Sequence, residues 1–380
     1  MSSCSNNTLM QPVRIMVLAA LMAAIVTGSR SLAVEAAANA PEIRTRYLLL
    51  DSRIIEKTEN AQLTVGVVQK DKHNPLFGED KPWEKRFDNL YANVIFDQED
   101  KLYKCWYSPF IVDLSAKGMT LQQRGQTGYS PPRDREMAIC YAVSKDGITW
   151  EKPELGLVEF KGSQQNNLLW REPHGAGVFK DYHDPDPARR YKAFFQGVNV
   201  AFSADGMHWG KAIPCPEIKV AGDTHNNALW APTLNGAYPI FLDDEIRIYY
   251  GGSDGKHTSW RNGFFCLATL KPDHWAGYEP IGPNQPAIIT TSEISFAGQA
   301  LRITADVAPG GSVKVSMVDR NGKPISSAKP VTETVTDGEL QWSQKMSSGP
   351  MRLCFEISGA KLYSFSFATA ASASVTPTAS

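Results

Sequence analysis

An all-β chain, a β-propeller lacking part of its ring followed by a C-terminal β-sandwich, is predicted by three observations. The first is a recurring hairpin. Cys140-Tyr-Ala-Val-Ser-Lys-Asp146-Gly147-Ile-Thr-Trp150 returns as Val200-Ala-Phe-Ser203-Ala-Asp205-Gly206-Met-His-Trp209, and in looser form as Cys266-Leu-Ala268-Thr-Leu-Lys-Pro-Asp273-His-Trp275. Such self-similarity signals stacked supersecondary units. The second is another hairpin ahead of each copy: Tyr91 to Tyr107, Gly177 to Phe195, and Tyr238 to Tyr250. The third is a change of texture near Ile289, after which short alternating strands follow one another without a helical stretch.

Each element has a local cause. In the recurring hairpin, alternating apolar residues make a strand, Asp-Gly supplies a turn that adopts positive φ, and the tryptophan opens the returning strand. In the preceding hairpin an apolar strand meets an acidic turn, then a strand ending in aromatics. Two hairpins per unit give four antiparallel strands, the make-up of a propeller blade. One unit is incomplete. Asn226 to Tyr238 begins a blade with an Asn235-Gly236 turn, yet the chain runs straight into Pro239-Ile-Phe241, another first-strand pattern. By the chain's own repeat, about one to one and a half blades are missing. The alternative is an irregular blade with a tight crossover. Beyond Ile289, Ile294 to Val307, Ser312 to Asp319 and Met351 to Ile357 alternate cleanly, and Asn321-Gly322 marks a hairpin turn. The resulting domain order is a signal peptide over 1–36, a propeller over 47–288, a sandwich over 289–367 and a disordered tail over 368–380.

The 380 residues leave room for two domains, and 42% hydrophobic content supports a core. A net charge of −1 argues against a nucleic-acid or anionic-membrane surface. Arg14 followed by the apolar run Ile15 to Val26 and the small-residue stretch Ser31 to Ala40 reads as a signal peptide, because the run is too short to span a bilayer. The protein is therefore expected to be secreted or periplasmic, with no membrane span once the signal is removed. Cys4 would leave with the signal. The other five cysteines, Cys105, Cys140, Cys215, Cys266 and Cys354, form no C-x-x-C pair and read as structural thiols. The seven histidines never fall at ligand spacing, so neither a metal nor a cofactor is expected.

No P-loop and no G-x-S-x-G motif is present, so the site follows from architecture. In a propeller the starts of the innermost strands converge on the central funnel. That places Asp88 and Asn89 before the first blade and His174 before the second. It places Asp223, His225 and Asn226 before the incomplete blade, and His257, Trp260 and Arg261 in a loop of the last. Carboxylates for acid/base work, an indole for ring faces, and Asn, His and Arg for hydroxyls suit a carbohydrate ligand. Asp88 and Asp223 are the catalytic candidates; Asn89, His174, His225, Asn226, His257, Trp260 and Arg261 are the substrate-binding ones. Asp146, Asp205 and their tryptophans read as turn and wedge residues without chemistry, and Asp184-Pro-Asp186-Pro as a surface turn.

Asp88-Asn89 before the first strand, Ser144 to Trp150, and Gly222 to Asn227 together resemble the five-bladed propeller glycosidases, the superfamily of invertase-like family 32 and arabinanase-like family 43. The resemblance covers roughly residues 47–285, and a trailing sandwich fits the invertase-like arrangement. It implies three acidic residues from the first three blades acting as base or nucleophile, stabiliser and general acid. Asp88 matches the first by position. Asp223 stands where that pattern has a Glu, Glu172 is a loose substitute in blade two, and the Trp-Met-Asn-Asp-Pro motif of invertases is absent. Three readings stay open: an exported hydrolase of an oligo- or polysaccharide, a non-catalytic carbohydrate- or partner-binding propeller, and a shortened inactive member.

Overall fold

The computed structural model describes residues 45–87, 90–113, 115, 119–130, 134–173, 175–218, 239–256, 260–296, 298–344 and 349–368. Among these the chain is all-β. Four antiparallel sheets are accompanied by one short α-helix, Leu121–Gln126, and one 3-10 turn, Pro187–Arg189.

The first sheet has five strands and the second and third four each. The first runs Asn93–Asp97, Leu102–Tyr107, Glu136–Ser144 and Leu168–Arg171, with Phe110–Val112 continuing beside Glu136 and Met137. The second runs Gly177–Lys180, Tyr191–Phe195, Asn199–Ser203 and Ile213–Pro214. The third runs Ile240–Phe241, Ile246–Ser253 and Gly263–Leu270, and its outer strand is Gln69–Lys70, from far earlier in the chain.

That outer strand differs from expectation, since the repeat predicts it after Trp275. Instead Asp273 turns at φ 67. Its buried carboxylate accepts hydrogen bonds from Arg46 Nη1 at 2.8 Å, Thr304 Oγ1 at 3.1 Å and Ser364 Oγ at 2.7 Å. These partners belong to the fourth sheet, so the chain leaves the third sheet and enters the fourth as Ala276–Pro280. Residues 52–85, which the sequence leaves irregular, supply Ile55–Glu59 and Ala61–Val65 to the fourth sheet and Gln69–Lys70 to the third.

Packing fixes the order of the sheets. Strand Leu102–Tyr107 is buried on both faces because it is sandwiched. Tyr103, Cys105 and Tyr107 pack in one cluster with Phe265 of the third sheet, while Trp106 packs in another with Val178 and Tyr191 of the second. The first sheet thus lies between the third and the second.

Both Asp-Gly turns sit on these seams. Asp146 Oδ1 accepts from the amides of Ile148 at 2.8 Å and Thr149 at 2.7 Å; Asp205 Oδ1 does the same for Met207 and His208, both at 2.8 Å. Burial acts upward on Asp146, but the amides of Ile148 and Thr149 bring its pKa down to about 2. The glycine carbonyl of each turn then accepts a hydrogen bond from the neighbouring sheet. Tyr249 Oη donates to Gly147 O and Trp106 Nε1 donates to Gly206 O, each at 2.8 Å.

The fourth sheet has ten strands around the long pair Ala300–Val318 and Gly349–Ala368. Leu301, Ile303, Val315, Leu353, Phe355 and Phe365 form its core. Thr45–Leu48, Ala276–Pro280 and Ala287–Thr291 pair with Gly349–Ala368 in the same sheet, and the expected border at 288/289 falls inside Ala287–Thr291.

Candidate functional site

The strand registers bring several segments to one end of the first three sheets. Asn93 pairs with Trp106, Tyr107 with Cys140 and Ala138 with Arg171. The residues before Asn93, after Tyr107, before Ala138 and after Arg171 therefore share an end. Gly177, the start of the second sheet, follows directly from that last segment. In the third sheet Ser253 pairs with Gly263, and Gly263 abuts Phe87 so closely that a Cβ there would lie 2.2 Å from the Phe87 Cβ. Glu79 ties the two together: its Oε1 accepts from Phe87 N at 2.7 Å and Gly263 N at 3.2 Å.

Of the residues singled out from the sequence, Asp88, Asn89, His174, Asp223, His225, Asn226 and His257 lie outside the described residues. Trp260 and Arg261 are described, and both are buried, at 1% and 8% exposure. The Trp260 indole meets the Tyr129 ring edge-on at 5.6 Å, and its amide donates to Thr127 O. Its surface is thus covered by the chain's own side chains rather than laid open as a stacking platform.

A buried cationic–aromatic cluster, not foreseen from the sequence, sits beside it. The Arg86 guanidinium lies 3.5 Å from the Tyr129 ring centre, 5.2 Å from Trp260 and 5.7 Å from Phe110. Arginine suits this place because its planar, weakly hydrated charge stacks on ring faces. Tyr129 Oη donates to Asp113 Oδ2 at 3.1 Å. Burial pushes the Tyr129 hydroxyl up and Asp113 adds to this, against the pull of Arg86 and Arg135. Leu90 and Tyr91, just ahead of the first strand, both occupy the left-handed region, with φ 59 and φ 47. Consecutive non-glycine residues there cost about 1–3 kcal/mol each, and such strain gathers at functional sites.

Beneath Phe87 lies a second network. Tyr107 Oη donates to Glu84 Oε1 at 2.7 Å and accepts from Asn167 Nδ2 at 2.7 Å; Trp83 Nε1 donates to Asn167 Oδ1 at 2.8 Å. Lys152 Nζ reaches Glu84 at 2.8 Å and lies 4.5 Å from the Phe77 ring centre. Burial raises the Glu84 carboxyl, and Lys152 opposes that shift. This frame holds the segment that leads into residue 88.

A cleft of about 860 Å³ opens at the same end of the first sheet, between Glu136, the segment 157–159 and the stretch 169–172. Arg171 donates to Glu136 through Nε at 2.6 Å and Nη2 at 2.7 Å, a bidentate pair. Trp170 forms a wall, edge-on to Phe195 at 4.9 Å and parallel to Trp209 at 6.5 Å. Glu172 at its rim has φ 81.

The opposite end of the first sheet is closed by charge. The Asp97 carboxylate accepts from Lys104 Nζ at 2.7 Å, Lys180 Nζ at 2.7 and 2.9 Å, and Tyr191 Oη at 2.5 Å. Lys180 and Tyr191 come from the second sheet, so this is a seam rather than an open site. The described cysteines are free, and burial pushes the thiols of Cys105 and Cys140 up, away from the reactive thiolate. Among the described residues no group of three His, Cys, Asp or Glu side chains could hold a metal ion, and no helix is long and apolar enough to cross a membrane.

No protein-family model and no curated protein matches this chain. Solved structures to which it is similar include a family 43 arabinoxylan arabinofuranohydrolase from Bacillus subtilis crystallised with cellotetraose. That alignment has 11% identity and a TM-score of 0.23, and it covers 73% of this chain but 66% of that one, just under two thirds of its length. An exo-β-1,3-galactanase from Phanerochaete chrysosporium aligns with 10% identity over 72% of this chain and 80% of that one, at a TM-score of 0.20. The family 32 β-fructofuranosidase of Bombyx mori aligns with 10% identity over 73% and 78%, at a TM-score of 0.21. At these scores the architecture rests on the hydrogen-bonded sheets themselves.

Proposed function

We propose that the protein is an exported, glycoside hydrolase-like protein acting on an oligo- or polysaccharide, built on an open propeller of the five-bladed type with a C-terminal β-sandwich. The observation that carries this reading is the convergence of the sheet starts. The described residues flanking Asp88, His174 and His257 all reach one end of the first three sheets, beside the strained pair Leu90–Tyr91 and the Arg86 cluster. The order third–first–second, with Gln69–Lys70 as the last sheet's outer strand, is the order a ring takes when its last blade docks on its first.

In this reading Asp88 and Asp223 are the acidic pair. One carboxylic acid protonates the leaving oxygen of the glycosidic bond, and the other carboxylate activates water or attacks the anomeric carbon. Their separation sets the stereochemical outcome. The experiment is hydrolysis of a glycan panel by the wild-type protein and by Asp88→Asn and Asp223→Asn. Release of reducing ends by the wild type, and its loss in both variants, supports the reading; wild-type activity that survives both substitutions removes the assigned acids.

A second reading, a non-catalytic carbohydrate-binding propeller, is favoured by a specific observation. Two of the described polar groups at this end are taken up within the chain, Glu136 by Arg171 and Asp254 by Asn262, whose backbone amide donates at 2.8 Å. Glycan binding by calorimetry that persists in both Asn variants, without hydrolysis by the wild type, selects it.

A further inference from the structure

Each seam between the first three sheets joins two unlike faces. The docking face carries Ile95, Trp106, Tyr141 and Val143 in the first sheet, which pack with the second, and Ile240 and Tyr249 in the third, which pack with the first. The receiving face carries Tyr103, Cys105 and Tyr107 in the first sheet, and Val178, Tyr191 and Ala193 in the second. One face of each kind is left over. Register puts Phe194 beside Val200, and Phe179 and Phe202 on either side of Lys192, all on the docking face of the second sheet. These four apolar side chains are partly exposed, and Ile213, paired with Val200, is 48% exposed. Lys192 is neutralised within its own hairpin by Asp181 at 2.9 Å and Asp184 at 2.8 Å, so the face is apolar in character. The receiving face of the third sheet carries Ile248 and Tyr250, opposite in direction to Tyr249, and Phe241, which pairs with Ile246 and is 62% exposed. None of these residues joins the three buried clusters of the described residues.

We propose that a second copy of this chain covers both faces: the second sheet of each copy docks on the third sheet of the other, closing a two-fold ring of six sheets. This rests on the ring order of the sheets and not on hydrolysis. The two faces belong to the outermost of three sheets, and a ring takes about four to eight, so the three described sheets do not close it alone, whereas two copies bring six. The faces also match in what they lack. At each seam within the chain, an aromatic side chain donates to a glycine carbonyl of the facing turn, Tyr249 to Gly147 and Trp106 to Gly206. By register Phe194 stands where Trp106 stands, and its ring has no hydrogen bond to donate. The turn it would face is Asp273-His274, which offers no glycine. Neither side leaves a hydrogen-bond partner waiting. By strand spacing and rise each face is roughly 15 Å square, and closure buries four of them, about the extent of a standard interface.

The test is the mass of the full-length protein by sedimentation velocity, from about 0.1 to about 50 µM. The expected result is a dimer that grows no further as concentration rises. Phe194→Asp on one face and Tyr250→Lys on the other each weaken dimerisation about a hundredfold or more. The two combined in one chain set opposite charges on the meeting faces and recover association to within about tenfold of the wild type. Ile213→Asp and Phe241→Asp, at side chains already 48% and 62% exposed, repeat the two losses without burdening the fold, which a cooperative melt checks. Ile325→Asp, an exposed apolar position of the fourth sheet, leaves the dimer unchanged. A monomer throughout this range overturns the proposal, whether or not it hydrolyses the glycan panel. A dimer that the second-sheet variants break and the third-sheet variants do not pairs two second sheets, and overturns it too. So does a mass that climbs without limit, the sign of an open filament rather than a closed ring.

Discussion

Replacing Asp97 by Asn tests whether the first and second sheets are held together by charge. The carboxylate is fully buried and receives Lys104 from its own sheet, and Lys180 and Tyr191 from the next. Asn keeps the size and one acceptor oxygen, but turns an NH₂ group toward two ammonium groups whose side chains are 7% and 5% exposed. Removing one member of a buried ion pair costs about 3–5 kcal/mol, because the remaining charge stays buried. Here each lysine retains a second carboxylate, Asp100 for Lys104 and Glu99 for Lys180, both about half exposed. That places the expected loss near the lower limit, about 3 kcal/mol.

The pH dependence has a definite sign. Burial acts upward on Asp97, but the hydrogen bonds from Lys104, Lys180 and Tyr191 hold its pKa well below the usual carboxylate range. A depressed carboxylate contributes stability that is present above its unfolded pKa, about 3.9, and is lost as pH falls toward the folded value. For Lys180 burial acts downward, but Asp97 and Glu99 raise it, so its contribution is present below about pH 10.4 and fades above that. Urea unfolding followed by tryptophan fluorescence, at pH 7 and again at pH 3, measures the effect of the carboxylate. The gap between wild type and Asp97→Asn is expected to be widest at neutral pH and to narrow in acid. A gap at pH 7 below about 1 kcal/mol, the worth of an exposed pair, refutes the claim that the seam depends on this carboxylate.

Two further substitutions probe the frame. Gly206→Ala forces a side chain onto φ 79 and sets a Cβ 2.8 Å from Trp106 Cζ2; a loss of about 1–3 kcal/mol in urea unfolding, with an altered Trp106 emission, is expected. Tyr107→Phe removes the hydroxyl that joins Glu84 to Asn167 and leaves both groups buried; about 1–3 kcal/mol should be lost, and the melting temperature should fall accordingly.

The strands of the first two sheets were legible in the sequence because their hairpins carry local signals: Asp-Gly turns, alternation and a terminal tryptophan. Asp146 and Asp205 indeed cap turns by accepting backbone amides, as the pattern implied. What escaped was non-local. Gln69 and Lys70 look polar and loop-like, and only the unpaired edge of Gly263–Leu270 makes them a strand. Ile55–Glu59 is likewise largely exposed along its length, so no hydrophobic period marks it. Arg86 and Tyr129 lie far apart in sequence and meet only after folding, and Gly128-Tyr129-Ser-Pro-Pro carries turn residues rather than a site motif. Trp260 was found for its polar loop, but its burial depends on Tyr129, which the loop does not announce.

The two seams also explain why the third hairpin copy diverges. A tyrosine or tryptophan from one sheet docks on the Asp-Gly turn of the next, Tyr249 on Gly147 and Trp106 on Gly206, and in each case the glycine's φ and lack of a Cβ make room for the ring. The third copy has Asp273-His274 where the others have Asp-Gly. A histidine cannot supply that close approach, and Asp273 is engaged instead by Arg46, Thr304 and Ser364. His274 is buried against the Tyr363 ring at 4.0 Å and faces Asp306 at 3.3 Å. Trp275 also follows Asp273 by two residues rather than four, and this shorter turn joins the third sheet to the fourth. With the chain passing on to the fourth sheet, the outer edge of the third is occupied by Gln69–Lys70.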